Sequence, residues 1–498
     1  MDIALGTPQV FLNQKDAEEL GLHPVDRVAV VDMRDGHRIT AIVNTTASLV
    51  PPGKVGVSEE VADIIMIRED SRVEVLPAAR PKSVELIKKK MDGIELNAEE
   101  IRTVIQDIAT GQLSDIELTA YAVSVYMHDL SLKEIVAMID AMVETGESIE
   151  FDQGPILDIH SIGGVPGNKY APLVVSTVAS HGCIIPKTSS RAISSACGTA
   201  DFMEVLCPVE HGAGDIKRIA ETAGGTLCWG GGVRLAPADD AIIRVEYPLS
   251  MDPHGQLIAS VLAKKKAVGA QVVVIEIPTG AGAKVEDEDK ARRLARDFIA
   301  VGEQIGIKIR VAITFGEQPI GYAIGPALEA REALAALEGT NVPGNLMEKA
   351  CELAGLLLEL AGKTPKGTGY DMARETIESG QAHKTFLKII ELQGGNKDIK
   401  STDIMPGKHA AEVVASKTGY VESIANKALI KVARAAGAPR DKGAGILLHH
   451  KLGEKVKSGQ PVFTIYAEHA HKLQEAVALS AELRPYKIEG MIIEEIVE

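Results

Sequence analysis

Residues 187–206 read KTSSRAISSACGTADFMEVL, in which Ser189, Ser190, Ser194, Ser195 and Thr199 cluster around a single arginine, Arg191. Short hydroxyls are compact hydrogen-bond donors, and a guanidinium presents a planar fork that matches phosphate oxygens. The chemistry these types suggest is the holding of a phosphoryl group. A serine-rich loop can also do no more than satisfy its own turns, and Arg191 can either bind an anion or only brace the loop.

A second stretch favours the anion. DIHSIGGVPGNKYAP, residues 158–172, carries Ser161 at the end of a predicted strand, turns on Gly163 and Gly164, and enters a predicted helix near Asn168. Glycines let a backbone approach an anion closely, and the first amides of a helix point at it. The two turns fall on consecutive strand–helix units, so they face one cleft.

Two further segments add charge. LSMDPHGQLIASVLAKKKAVGA, residues 249–270, opens a long helix behind Asp252, which can cap that helix or serve as a general acid or base. Ser260 and Lys264 lie four apart and share a helix face. IPTGAGAKVEDED, residues 277–289, is another glycine turn after an apolar run, and it carries Lys284.

The elements that must position these residues follow from periodicity and turn signals. PILDIHS, GCIIP, TLCW, VVVIEI and KIRVAIT alternate with helical segments beyond Gly154, which predicts a large α/β domain with a mostly parallel sheet over 154–405. Ligand sites in such sheets lie beyond the carboxyl ends of the strands. Residues 83–153 predict a small all-α domain, completed by helices from later in the chain. Its starts are marked by three capping boxes: Asn97 with Glu100, Ser114 with Glu117, and Ser131 with Glu134. Residues 1–82 read as a β-rich N-terminal domain, and residues 406–498 as an α+β domain of barrel-sandwich character. The chain is thus an α/β multidomain protein.

Composition narrows the partners. With 498 residues, 45% hydrophobic and 24% charged, the chain is an ordinary multidomain globular protein. A formal net charge of −16 opposes nonspecific nucleic-acid binding, and 3% aromatics with one tryptophan oppose a base-stacking groove. The five cysteines form no CxxC pair or Cys/His cluster, so neither a zinc site nor a disulfide framework is expected. The start carries no signal-peptide pattern, and no apolar run is long enough to span a bilayer, so a cytoplasmic protein with no membrane partner is expected.

Taken together, KTSSRAISSACGTADFMEVL, HSIGGVPGNK and LIASVLAKKK resemble the thymidine/pyrimidine-nucleoside phosphorylase family from Ser83 onward. The long N-terminal extension resembles its archaeal AMP phosphorylase branch. The resemblance implies an α domain and an α/β domain that close over the substrates, with phosphate attacking C1′ while the base leaves. It implies phosphate contacts at Ser161, Gly163, Gly164, Ser189 and Thr199. For AMP it implies Gly164, Ser190, Arg191, Ala192, Ile193, Ser194, Ser195, Thr199, Ser260, Lys264 and Lys284, with Asp252 as the catalytic proton donor. It also implies a homo-oligomer assembled through the N-terminal domain.

The sequence departs from the pyrimidine enzymes at two places. Their lysine ahead of the His-Ser of the first turn is Ile159 here, and Glu246 stands where they carry an arginine. Both departures fit phosphorolysis of AMP to free base and ribose 1,5-bisphosphate, with GMP, CMP and UMP as further candidate substrates. The alternatives are a pyrimidine-nucleoside phosphorylase and, from another class, a non-catalytic AMP-sensing assembly protein. Which of Lys264 and Lys284 serves which phosphate is open at this stage.

Overall fold

A computed structural model describes residues 4–67, 71–192 and 195–491. The chain divides into two compact units, one of Met1–Gly146 with Ala236–Ser260, the other of Glu147–Leu235 with Val261–Glu498.

The first unit contains a sheet of β1 (Gln9–Asn13), β2 (Arg27–Asp32), β3 (Arg38–Thr46), β4 (Val55–Val57) and β5 (Val73–Pro77), in the order β4-β1-β3-β2-β5. Only β1 and β3 run parallel. Alternation puts Val10, Val28, Val30 and Val43 into a common core at 0% exposure. The helices Ser83–Met91, Ala98–Ala109, Asp115–His128, Leu132–Glu144 and Pro237–Leu249 follow. All three expected capping boxes form: Asn97, Ser114 and Ser131 each accept from the amide three residues on, and the glutamate there returns to the cap amide. Inside the bundle the buried Lys90 ammonium donates to both oxygens of Glu134, at 2.9 and 3.0 Å. Arg27 of β2 pairs with Glu117.

In the second unit, β6 (Leu157–Ser161), β7 (Ile185–Ser189), β8 (Gly225–Trp229), β9 (Val272–Thr279) and β10 (Lys308–Phe315) are all parallel. Ladders join β10-β9-β6 and β7-β8. A single parallel bridge, Ile156 to Ile184, links the two sets. The spatial order is therefore β8-β7-β6-β9-β10, which reverses direction at β6/β9, the kind of switch point where α/β sheets bind ligands. Helices cover the sheet, so β9, VVVIEIPT, is buried throughout. Leu157, Ile159, Val174, Leu227 and Val274 share one core with the helices Pro326–Glu338, Gly344–Leu360 and Gln381–Leu392.

Two boundaries differ from the sequence expectation. The strand predicted at GCIIP runs on to Ser189, because Lys187, Thr188 and Ser189 pair with Leu227, Cys228 and Trp229. The helix expected near Asn168 begins at Ala171, with Pro172 in its first turn. Asn168 is left outside it, with its side chain available for the site.

The C-terminal part adds β11 (Ala323–Ile324), β12 (His409–Val414), β13 (Gly419–Ile424), β14 (Gly445–Leu448), β15 (Lys455–Val456), β16 (Pro461–Ala467) and β17 (Tyr486–Glu489). These form sheets β11-β14-β16-β12 and β15-β13-β17, with the helices Asn426–Ala435 and Ala470–Leu483 beside them. The five cysteines are buried and unbridged. No helix among the described residues is long and apolar enough to cross a membrane.

Candidate active site

The carboxyl ends of the parallel strands gather most of the residues singled out in the sequence. After β6 the chain takes Gly163 and Gly164 at φ +83° and +94°, in the left-handed region that glycine occupies without steric cost. Ser161 Oγ accepts from the Gly163 amide at 3.2 Å and from Asn168 Nδ2 at 3.2 Å. Asn168 also donates to Glu276 Oε2 at 3.0 Å. Glu276, fully buried on β9, takes Lys349 Nζ at 2.8 Å and the Thr314 hydroxyl. Burial alone would raise that carboxyl. Lys349 and the hydroxyls of Ser161 and Thr314 outweigh it and hold Glu276 below its ordinary value, so it stays a carboxylate. Ser161 is thereby oriented by a side-chain network whose far end lies on the helix Gly344–Leu360.

The turn after β9 meets the turn after β6. A Cβ on Gly164 would fall within 3.0 Å of three Lys284 atoms, two of them backbone, so the two loops touch main chain to main chain. Lys284 itself is exposed.

The serine-rich loop after β7 is pinned by carboxylates. Ser189 Oγ donates to the Cys228 carbonyl at 3.3 Å, and Ser190 is exposed. Asp201 Oδ2 accepts from the amides of Ala192 and Gly198, at 2.7 and 2.9 Å. The Arg191 fork meets Glu204 at 2.9 and 2.8 Å and Glu210 at 3.1 Å, and it lies 4.9 Å over the Trp229 ring. These carboxylates raise the guanidinium further, and in return Arg191 and then Lys442 hold Glu204 down at about 2 against the opposing effect of burial. Of the two roles left open for Arg191, its contacts are those of a brace. Ser195 folds back on the Cys197 carbonyl at 2.7 Å, and its own carbonyl accepts from Arg434 at 2.9 and 3.1 Å. Thr199 opens the short helix Thr199–Met203. Ile193 and Ser194 lie outside the described residues.

Behind the two turns lies a group of cations. Lys187 on β7 and Lys265 on the helix His254–Ala267 are buried, and Lys265 pairs with the buried Asp158 at 2.7 Å. Burial, then Lys265, Lys187, Lys264 and Lys284, push the His160 imidazole well below its usual value, so it is neutral at physiological pH. Burial and then Lys265 bring Lys187 down to about 7.

Asp252 and Ser260 belong to the first unit. Asp252 is exposed, just ahead of the helix His254–Ala267, and Ser260 Oγ donates to Asp239 Oδ2 at 2.8 Å. The remaining candidates, Lys264 among them, belong to the second unit.

Sequence reading missed Asn168, Lys187, Asp201, Glu204, Glu276 and Lys349. Glu276 had a signal, being the one acid in the apolar run VVVIEI, as had Lys187, the one cation in GCIIPKTS. Lys349 had none, because its place in the site depends wholly on tertiary packing.

Three family models match the chain. The glycosyl transferase family helical bundle domain covers residues 84–146. The α/β domain of the same family covers 153–383, and the pyrimidine nucleoside phosphorylase C-terminal domain covers 420–487. AMP phosphorylase from Methanosarcina barkeri is 49% identical over 495 residues, 99% of this chain and 97% of its own length. Those from Methanococcoides burtonii and Thermococcus kodakarensis are 47% and 48% identical, covering 100% of this chain and 97% and 98% of theirs. The solved structure of anthranilate phosphoribosyltransferase from Thermus thermophilus superposes with a TM-score of 0.53 at 22% identity, over 62% of this chain and 98% of that one, a likeness of fold alone. The matches run from end to end of the sequence and include all three domain types, so the chain belongs to the pyrimidine-nucleoside phosphorylase family, in its AMP phosphorylase branch.

Proposed function

We propose that the protein phosphorolyses AMP. Inorganic phosphate attacks C1′, the bond from C1′ to the base nitrogen breaks, and adenine and ribose 1,5-bisphosphate are released. The observation that carries this reading is the pair of donor-rich turns at the ends of β6 and β7, in a chain about half identical over its whole length to AMP phosphorylases. Ser161, Gly163, Gly164, Ser189 and Thr199 hold the attacking phosphate. Gly164, the loop from Ser190 to Ser195, Thr199, Ser260, Lys264 and Lys284 hold the nucleotide, and Arg191 serves that loop as its brace.

Asp252 protonates the leaving purine at N7. A positioned acid contributes on the order of 10²–10⁴ in rate, provided its pKa is lifted from the ordinary value of about 3.9. Substrate closure, which removes water and brings phosphate charge near, supplies that lift. No metal or organic cofactor enters the reaction.

The four sequence-defined regions, 1–82, 83–153, 154–405 and 406–498, divide the work. The first builds a cytoplasmic homo-oligomer, the next two hold the substrates, and the last supports the substrate loop. Phosphate-dependent base release with AMP, adenosine, thymidine and uridine tests the reading, and GMP, CMP and UMP define its breadth. Turnover that requires the 5′-phosphate supports it. Turnover of thymidine and uridine instead identifies a pyrimidine-nucleoside enzyme, and AMP binding without any turnover identifies a sensor.

A further inference from the structure

Lys169 stands just ahead of the helix Ala171–Ser180 and is 0% exposed. The three N–H donors of its ammonium meet three oxygens: the Gly167 carbonyl at 2.8 Å, the Ile320 carbonyl at 2.8 Å and Glu332 at 2.6 Å. A buried ammonium is tolerated when it is paired and hydrogen-bonded in this way. Two main-chain carbonyls and a carboxylate are also the kind of oxygen set that holds a hard cation.

The three oxygens come from parts of the chain that are distant in sequence. Ile320 lies in a short strap, residues 319–323, whose Ile320 amide donates to the Pro166 carbonyl at 3.2 Å. Glu332, on the helix Pro326–Glu338, accepts from the strap amides of Tyr322 at 2.9 and 3.1 Å and of Ala323 at 3.3 Å. The other side of the strap belongs to the C-terminal sheets. Lys451 donates to the Pro319 carbonyl, Leu448 donates to the Tyr322 carbonyl at 2.8 Å, and β11 pairs with β14. A Cβ on Gly167 would lie 2.7 Å from the carbonyls of both Ile320 and Ala323. Turn and strap therefore meet with no side chain between them except that of Lys169.

On the side of the turn, the Gly167 carbonyl accepts from the Lys169 amide as well as from its ammonium, both at 2.8 Å. Asn168 is held between these two fastened residues. Its side chain donates to Ser161 Oγ at 3.2 Å and to Glu276 at 3.0 Å.

We infer that Lys169 is a positioning residue for phosphorolysis, a built-in cation that fastens the β6 turn to the strap and so sets Ser161 through Asn168. This rests on the phosphorolytic reading above, in which Ser161 holds the attacking phosphate. Lys169 touches no substrate. Through it the C-terminal sheets, which carry no candidate site residue, fix the geometry of the phosphate turn.

The test uses the full-length protein with Lys169→Ala, assayed with AMP and phosphate varied separately, in ammonium chloride and in tetramethylammonium chloride at equal ionic strength. Removing the side chain leaves a void that ends on three oxygens. Ammonium fits there and restores their bonds, whereas tetramethylammonium is too large and has no N–H. In tetramethylammonium the KM for phosphate should rise about tenfold or more while the KM for AMP stays within about threefold, and ammonium should reverse most of that rise. Lys169→Met fills the void with its own side chain, so it should show the rise without the ammonium response. Near-normal KM values in Lys169→Ala, equal rises in both, a rise that ammonium leaves unchanged, or a lowered urea midpoint with both KM values intact overturns the inference.

A second variant serves where Lys169→Ala does not fold. Asn345 anchors the strap: its Oδ1 accepts from the Gly321 amide at 3.0 Å, and its Nδ2 donates to the Pro319 carbonyl at 3.3 Å. Asn345→Ala loosens the strap with Lys169 in place and should raise the KM for phosphate alone, by about threefold to tenfold. An unchanged KM for phosphate in that variant overturns the inference. Absence of phosphate-dependent base release by the wild type refutes the phosphorolytic reading instead. Phosphate binding by calorimetry, in wild type and in Lys169→Ala with and without ammonium, then still decides the role of Lys169.

Discussion

A Cβ placed on Gly164 would lie 2.3 Å from the backbone nitrogen of Lys284 and 2.7 Å from its Cβ. The loops after β6 and β9 therefore depend on a missing side chain to reach one another, and the φ of +94° at Gly164 penalises any replacement further. Gly164→Ala should drive the loops apart, and misplacement on this scale costs on the order of 10² in rate. The expected outcome is a fall of that size in kcat/KM for AMP phosphorolysis. A variant with near-normal kcat/KM would show that the close approach is not needed for the site.

Asp252→Asn keeps the size of the side chain and removes its titrating proton. Phosphorolysis should drop by about 10²–10⁴ while AMP affinity, read by calorimetry, stays within a few-fold. Equal turnover in the variant would remove Asp252 from the chemistry.

Arg191 is expected to act through the loop it braces. Arg191→Met should raise the KM values for AMP and phosphate together, and it should alter the emission of Trp229, the sole tryptophan, which lies under the guanidinium. A direct anion ligand would move one KM only. The Glu204 partner gives a pH signature. Its carboxyl falls from 4.5 unfolded to about 2 folded, chiefly through Arg191. A depressed carboxyl stabilises the fold above its unfolded value, and that contribution disappears as pH drops toward the folded one. Glu204→Gln should therefore be less stable than wild type in urea at neutral pH, with the gap narrowing below about pH 4.5.

Lys90→Met tests the helical bundle independently of the site. It strands the Glu134 carboxylate, 2% exposed, with the amides of Leu96 and Ser131 as its remaining partners among the described residues. Breaking a buried pair in this way costs about 3–5 kcal/mol, which urea unfolding would read as a lowered midpoint. Lys90→Met with Glu134→Leu should recover much of the loss.

How much of this was legible in the sequence depended on how local the determinant was. The capping boxes at Asn97, Ser114 and Ser131 are complete within four residues, and each forms as read. The five parallel strands were visible as short apolar runs between helical patterns. Their ends were less so: GCIIP gave no hint that polar Lys187, Thr188 and Ser189 continue the strand, because their pairing partners on β8 lie about forty residues away. The glycine and hydroxyl positions of the candidate site stand out in the sequence because the chemistry they suggest is tied to residue type. The brace of Arg191 and the network from Ser161 to Lys349 were not legible there, since each joins residues from separate segments.

Two of the contacts that shape the serine-rich loop come from far down the chain. Arg434 holds the Ser195 carbonyl, and Lys442 holds Glu204, the carboxylate that grips Arg191. On the ribosome these two side chains emerge more than two hundred residues after the loop they secure. A nascent chain can lay down every strand of the parallel sheet and still lack two of the contacts that shape this loop.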